Sequence, residues 1–216
     1  MLKEDYQKVL DDKPWQEMKD YFEDLPVADV KLITTLDIDS QRWIDFTVDN
    51  FELAQQKSES PKKHYTEYSN RWASVNNAMG RNEHNTAELN YGINGDTNEK
   101  LKELLGEANM KILNVDPDSI LMRFIVKMPG HGIAWHMDDN GSYRMKFPDI
   151  DTSKIKRLWF PILDWRDGHA IQISKTVITK WKAGDVYDIP WGIGHSSTNF
   201  GYEPQFTVSF TGVIDD

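Results

Sequence analysis

Apolar residues along the chain repeat with two different periods, and the change falls near residue 110. Before it, Trp15, Met18, Phe22 and Leu25 recur at i, i+3, i+7 and i+10, while Ile44, Val48 and Phe51 recur at i, i+4 and i+7 behind the capping candidates Asp39 and Ser40. Both spacings return to one face of a 3.6-residue helix, so the first sixty or so residues read as helical. The polar stretch KSESPKKH follows as a solvated loop, and RWASVNNA (71–78) is a candidate extra strand. In DTNEKLKELLG, Asp96 and Glu99 form a capping box, Leu101, Leu104 and Leu105 a buried stripe, and Gly106 a stop.

Beyond residue 110 the segments shorten and alternate: MKILNV, SILMRFIVKM, GIAWHMD, KRLWFPILDW, AIQIS, VITKW, DVYDIP and QFTVSFTGV, parted by Gly, Pro, Asp and Asn turns. Short strands at this spacing predict a sandwich or jelly roll. The expectation is a mainly β protein with flanking helices, a single domain over 1–216. A helix-rich part, 1–109, packs on a β core formed by 110–214.

Composition narrows the function classes. The 8 Trp, 8 Tyr and 9 Phe allow a packed interior, and a net charge of −10 disfavours broad contact with nucleic acid or anionic membranes. Cysteine is absent, which removes disulfides, thiolate metal sites and a cysteine nucleophile. The sequence begins without a signal-like apolar region and has no apolar run near the roughly 18 residues of a membrane span, so a cytoplasmic location is expected.

Chemistry concentrates in two stretches. GDVYDIPWGIGHSSTN (184–199) spends three glycines and a proline on turns around one histidine, which reads as a strand, a tight turn and a returning strand that opens at His195. PGHGIAWHMDDNG carries His136 and Asp138 two apart, hence on one face of a strand. Joined by His195, they make the two-histidine, one-carboxylate set that occupies one face of a non-haem iron and leaves open positions. The plainer alternative is a core in which a carboxylate satisfies buried histidines.

Gly184-x5-Pro190-x-Gly192-x2-His195-x3-Asn199 resembles the second cupin motif, and Gly130-x5-His136-x-Asp138 resembles the first with Asp for its second His and without its Glu. With RFIVKMPGHGIAWHMDD, RLWFPILDW and KAGDVYDIPWGIGHSSTNFG in that order, roughly residues 120–213 resemble the 2-oxoglutarate/Fe(II) dioxygenases of the aspartyl/asparaginyl and proline hydroxylase-like group. The resemblance implies a double-stranded β-helix (jelly roll, cupin-like). It implies Fe(II) on His136, Asp138 and His195, with 2-oxoglutarate and O₂ as cosubstrates. The expected activity is hydroxylation of an unactivated carbon in an amino acid or a Pro, Asp or Asn residue of a peptide.

Relatives carry an arginine about ten residues beyond the distal histidine, where this chain reads Glu203-Pro204-Gln205-Phe206. Gln205 brings hydrogen bonds but no charge. Arg157 in RLWFP is therefore the first candidate for the cosubstrate carboxylate, and Arg144 in RMKFP the second, because a planar guanidinium binds a carboxylate bidentately. Thr207 and Ser209 share strand parity with Gln205, and Trp159 shares it with Arg157 as a candidate substrate contact. His64, His84, His131 and His169 read as loop or turn residues, and the insertion 139–156 as a candidate lid. Two other classes stay open: a metal-binding cupin without redox chemistry, acting as a small-molecule binding module, and a catalytically silent jelly roll.

Overall fold

Nine strands and three helices carry the described part of the chain: β1 (Lys31–Thr35), α1 (Ser40–Asp49), α2 (Gly95–Leu105), α3 (Glu107–Leu113), β2 (Leu121–Lys127), β3 (Gly132–His136), β4 (Ile155–Pro161), β5 (His169–Ile173), β6 (Thr176–Ile178), β7 (Asp185–Asp188), β8 (His195–Asn199) and β9 (Gln205–Val213). The structure, a computed structural model, describes residues 27–49, 95–136, 147–190 and 192–213, together with residues 7, 11, 143 and 144. The Trp15–Leu25 stripe and the 71–78 segment lie outside the described residues.

All strand pairings are antiparallel, in one five-stranded sheet of order β1-β7-β4-β9-β2 and one four-stranded sheet of order β3-β8-β5-β6. Alternation explains how each sheet is used. On β9, Phe206, Val208 and Phe210 join Met122, Phe124 and Val126 of β2 and Leu158 and Phe160 of β4 in a core covered by Trp43, Leu101, Leu105 and Leu113 of the helices. The intervening positions turn the other way, toward the second sheet, where Trp159 meets Ile171, Ile173 and Ile178. Two sheets facing across a shared interior, with helices on the outer face of the larger one, make a double-stranded β-helix of the jelly-roll kind. No helix among the described residues is long and apolar enough to cross a membrane.

Three expectations change. Residues 31–35 form an edge strand rather than helix, paired with β7; four of the five are exposed, which erases the alternation that reveals a strand. MKILNV is not a strand: Met110–Leu113 end α3, which buries Asn109 and Leu113 and stops at Asn114 in the left-handed region. The Asn109 amide donates to the Asp37 carbonyl at 2.7 Å and the Leu105 carbonyl at 2.8 Å, fastening the two-helix corner. On α1 the buried residue is Trp43, 1% exposed, stacked on Phe124 and edge-on to Phe160, whereas Val48 is 68% exposed. Asp39 caps this helix by accepting from the Arg42 amide, and the Ser40 hydroxyl donates to the Ile162 carbonyl.

Candidate functional site

The turn before β8 is shaped by what stands behind it. A Cβ on Gly194 would lie 2.6 Å from the ring of Trp135, so only glycine lets the backbone pass there. Trp135 is buried in β3 at a register shift: Ile133 pairs with Ser197 and His136 with His195, three steps on one strand against two on the other. This bulge brings backbone position 136 directly opposite His195. The side chain of His136, and Asp138 altogether, lie outside the described residues. Among the described residues no group of three or more His, Cys, Asp or Glu side chains is placed to hold a metal ion.

His195 is 7% exposed. Its Nδ1 lies 3.0 Å from the Ile193 carbonyl and its Nε2 lies 3.1 Å from Nη1 of Arg157. A carbonyl can only accept, so Nδ1 carries the proton and Nε2 presents its lone pair, which here accepts from the guanidinium. Arg157 also donates from Nε to the Ser209 hydroxyl at 3.4 Å. Arg157 is opposite Thr211 and Trp159 is opposite Ser209 on β9, so both project into the space between the sheets. Trp159 is 4% exposed, edge-on to Trp181 and tilted on Tyr187, which makes it a wall of that space.

Toward the other end of β8, polar side chains again turn inward. Asn199 is fully buried; its amide donates to the Lys127 and Glu203 carbonyls, both at 2.8 Å, and its carbonyl accepts from the Gly201 amide. His169 pairs with Asn199 across β5 and β8, is 3% exposed, and holds the Glu203 carbonyl at 3.0 Å with Nε2. Burial pulls its pKa below the ordinary histidine value, aided by the Lys127 ammonium and opposed by the bond to Glu203, so the ring is neutral. The turn histidine of the sequence reading is thus an interior residue. Gln205 is 2% exposed on the face of Thr207 and Ser209, opposite Lys127, itself 1% exposed.

Arg144 is exposed. Its neighbour Tyr143 is buried with Phe147 and Ile150 against Leu121 and Ile155, and its hydroxyl donates to the Ser119 carbonyl at 2.7 Å, so this part of the 139–156 insertion is anchored. His131 is partly buried, while His64 and His84 lie outside the described residues. Lys127 is not singled out by its sequence context, whereas Asn199 closes the motif around His195 and His169 reads locally as a turn residue; the signal common to all three is odd-position parity on strands whose even positions are apolar or outward. A hollow of about 440 Å³ lined by Asp164, Trp165, Arg166, Lys180, Trp181 and Lys182 lies beyond the ends of β4 and β6, with Trp181 also packed on Trp159.

No protein-family model and no curated protein matches the chain. Among solved structures, it is similar to a predicted oxalate decarboxylase from Thermotoga maritima (16% identity, 51% of this chain and 76% of that one, TM-score 0.32). It is similar to a cupin domain from Bordetella pertussis (14%, 44% and 82%, TM-score 0.31). The nickel complex of the non-heme monooxygenase ThoJ is a third (14%, 44% and 43%, TM-score 0.34).

Proposed function

We propose that this chain is an Fe(II)- and 2-oxoglutarate-dependent oxygenase that hydroxylates an unactivated carbon of an amino acid or of a peptidyl Pro, Asp or Asn residue. The observation that carries this reading is the register of β3 on β8: position 136 sits opposite His195, and His195 holds its Nδ1 proton on the Ile193 carbonyl so that Nε2 offers a lone pair to the interior. A neutral imidazole fixed in this tautomer is the form that ligates a divalent metal. His136, Asp138 and His195 would hold the ion.

Iron(II) bound there would supply O₂ activation and a two-point anchor for a 2-oxo acid. The remaining work falls to the chain. Arg157, which donates to Nε2 of His195 and to the Ser209 hydroxyl, would be the partner for a ligand carboxylate on the inner face. Trp159, Trp181 and Tyr187 close one side of the interior to water.

A second reading, a metal-binding cupin without redox chemistry, is favoured by one residue: Gln205 stands uncharged where the resembling enzymes carry arginine. Anaerobic addition of Fe(II) and 2-oxoglutarate decides between them. The oxygenase gives a weak visible charge-transfer band and consumes 2-oxoglutarate once O₂ is admitted. Binding of Zn(II), Mn(II) and Fe(II) alike, with no band and no 2-oxoglutarate consumption, overturns it in favour of the binding module.

A further inference from the structure

Strand β2 carries a charged side chain that the site described above does not use. Its even positions, Met122, Phe124 and Val126, lie in the core under the helices, so Arg123 belongs to the opposite face, the one that Arg157 and Trp159 enter from β4. The register fixes its level: Arg123 stands directly opposite Ser209 on β9, and Ser209 is the residue whose hydroxyl accepts from Nε of Arg157. Two guanidiniums thus enter one inner face from the strands on either side of Ser209. Arg157 is engaged by His195 and Ser209, whereas Arg123, partly buried, has neither a hydrogen bond nor an ion pair among the described residues. Two residues back along β2, Leu121 stands opposite Thr211, which faces Arg157 in turn, and Tyr143 of the 139–156 insertion packs on Leu121 and Ile155. The face is roofed at the level of Arg157 and carries a second cation just below it. Like charges on one face repel, and a guanidinium partly withdrawn from water favours an anion beside it.

We propose that Arg123 is a specificity-determining residue that binds the α-carboxylate of a free amino acid, so that the substrate is a small molecule rather than a residue within a peptide. The planar fork of arginine meets a carboxylate through two parallel charge-assisted hydrogen bonds; the amide that replaces this acid inside a peptide is neutral and offers one oxygen. Arg123, Ser209 and Trp159 stand side by side on three adjacent strands, so an acid held by Arg123 lies in the same row as the Trp159 wall. Each guanidinium then has its own anion, Arg157 that of the cosubstrate and Arg123 that of the substrate. The inference deepens the oxygenase reading and rests on it for the partner of Arg157.

The test titrates the free L-amino acids with uncharged side chains, each beside its α-carboxamide, into the metal-free full chain and reads tryptophan fluorescence, then repeats the series as 2-oxoglutarate consumption with Fe(II) and O₂. At least one acid is expected to bind, with its carboxamide weaker by about tenfold or more. Arg123→Gln keeps length and hydrogen bonding but removes the charge; it is expected to weaken the acid about tenfold, leave the carboxamide within about twofold, and raise KM for the acid while KM for 2-oxoglutarate holds. Arg123→Lys restores the charge without the fork and is expected to fall between the two; if Arg123→Gln does not fold, a loss of about threefold or more in Arg123→Lys carries the same weight. Binding by no acid, equal binding of acid and carboxamide, or acid affinity unchanged in the folded variants overturns the assignment, as does a rise in KM for 2-oxoglutarate alone. If Arg123-dependent binding is present without 2-oxoglutarate consumption, the subsite stands and the oxygenase reading falls. If an acid drives consumption with its KM unmoved in Arg123→Gln, the oxygenase stands and the subsite falls.

Discussion

Nη1 of Arg157 sits 3.1 Å from Nε2 of His195, so the nitrogen best prepared to bind a metal is held by a cation from the opposite sheet. If His195 ligates a metal as proposed, the ion and the guanidinium would compete for one lone pair. Arg157→Met removes a positive charge from the ion's surroundings and is expected to tighten Mn(II) binding about tenfold, roughly 1.4 kcal/mol, while weakening 2-oxoglutarate. Calorimetry on both ligands checks this; weaker Mn(II) binding in the variant would mean that the guanidinium orients His195 rather than competing for it.

Gly194 is expected to be intolerant of any side chain. Its Cβ would enter the ring of Trp135, a buried residue one position before His136. Gly194→Ala should cost about 1–3 kcal/mol of stability by overpacking and, by shifting β3 against β8, reduce Mn(II) affinity as well. Thermal unfolding and Mn(II) electron paramagnetic resonance on the same sample separate the two effects. Full metal affinity in the variant would show that the bulge does not govern the site.

On α1, Trp43→Ala is expected to lose about 3–5 kcal/mol in urea unfolding, because it empties a cavity between Phe124 and Phe160. Val48→Ser on the exposed side should stay within about 0.5 kcal/mol. Equal losses would contradict the assignment of the buried face.

His169 predicts a pH dependence of known sign. Burial lowers its pKa below the ordinary 6.5, so below that value the unfolded chain takes up a proton that the folded one refuses. Its contribution is therefore complete above the unfolded value and lost as pH falls through the folded one. The melting temperature should fall as pH drops below about 6.5, and His169→Gln, which can still donate to the Glu203 carbonyl, should flatten that drop. An unchanged slope in His169→Gln would show that other groups set it.

Most strands of the barrel were legible because one face of each meets an apolar core and the other does not, as Phe206, Val208 and Phe210 against Gln205, Thr207 and Ser209 illustrate. His195 was legible through its turn: Gly194 before it answers to Trp135, far back in the sequence, which no local rule names but whose effect is a required absence of side chain. What escaped has physical causes. Strand β1 is an edge with little to bury, and the apolar density of MKILNV fits a short helix as well as a strand. Ile44 and Val48 show the same helical period as the true face, which is set by Trp43 because that side alone meets the sheet. Lys127 reads as a surface lysine in one dimension; only the pairing with Gln205 reveals its burial.

Strand β9 serves two masters. Its even positions Phe206, Val208 and Phe210 join the core under the helices, while its odd positions, Gln205, Thr207, Ser209 and Thr211, are buried polar side chains on the opposite face. If that face lines the proposed site, exchanges among small polar residues there would retune what it accepts while leaving the helix-covered wall untouched. Selectivity in this scaffold is free to drift at constant architecture.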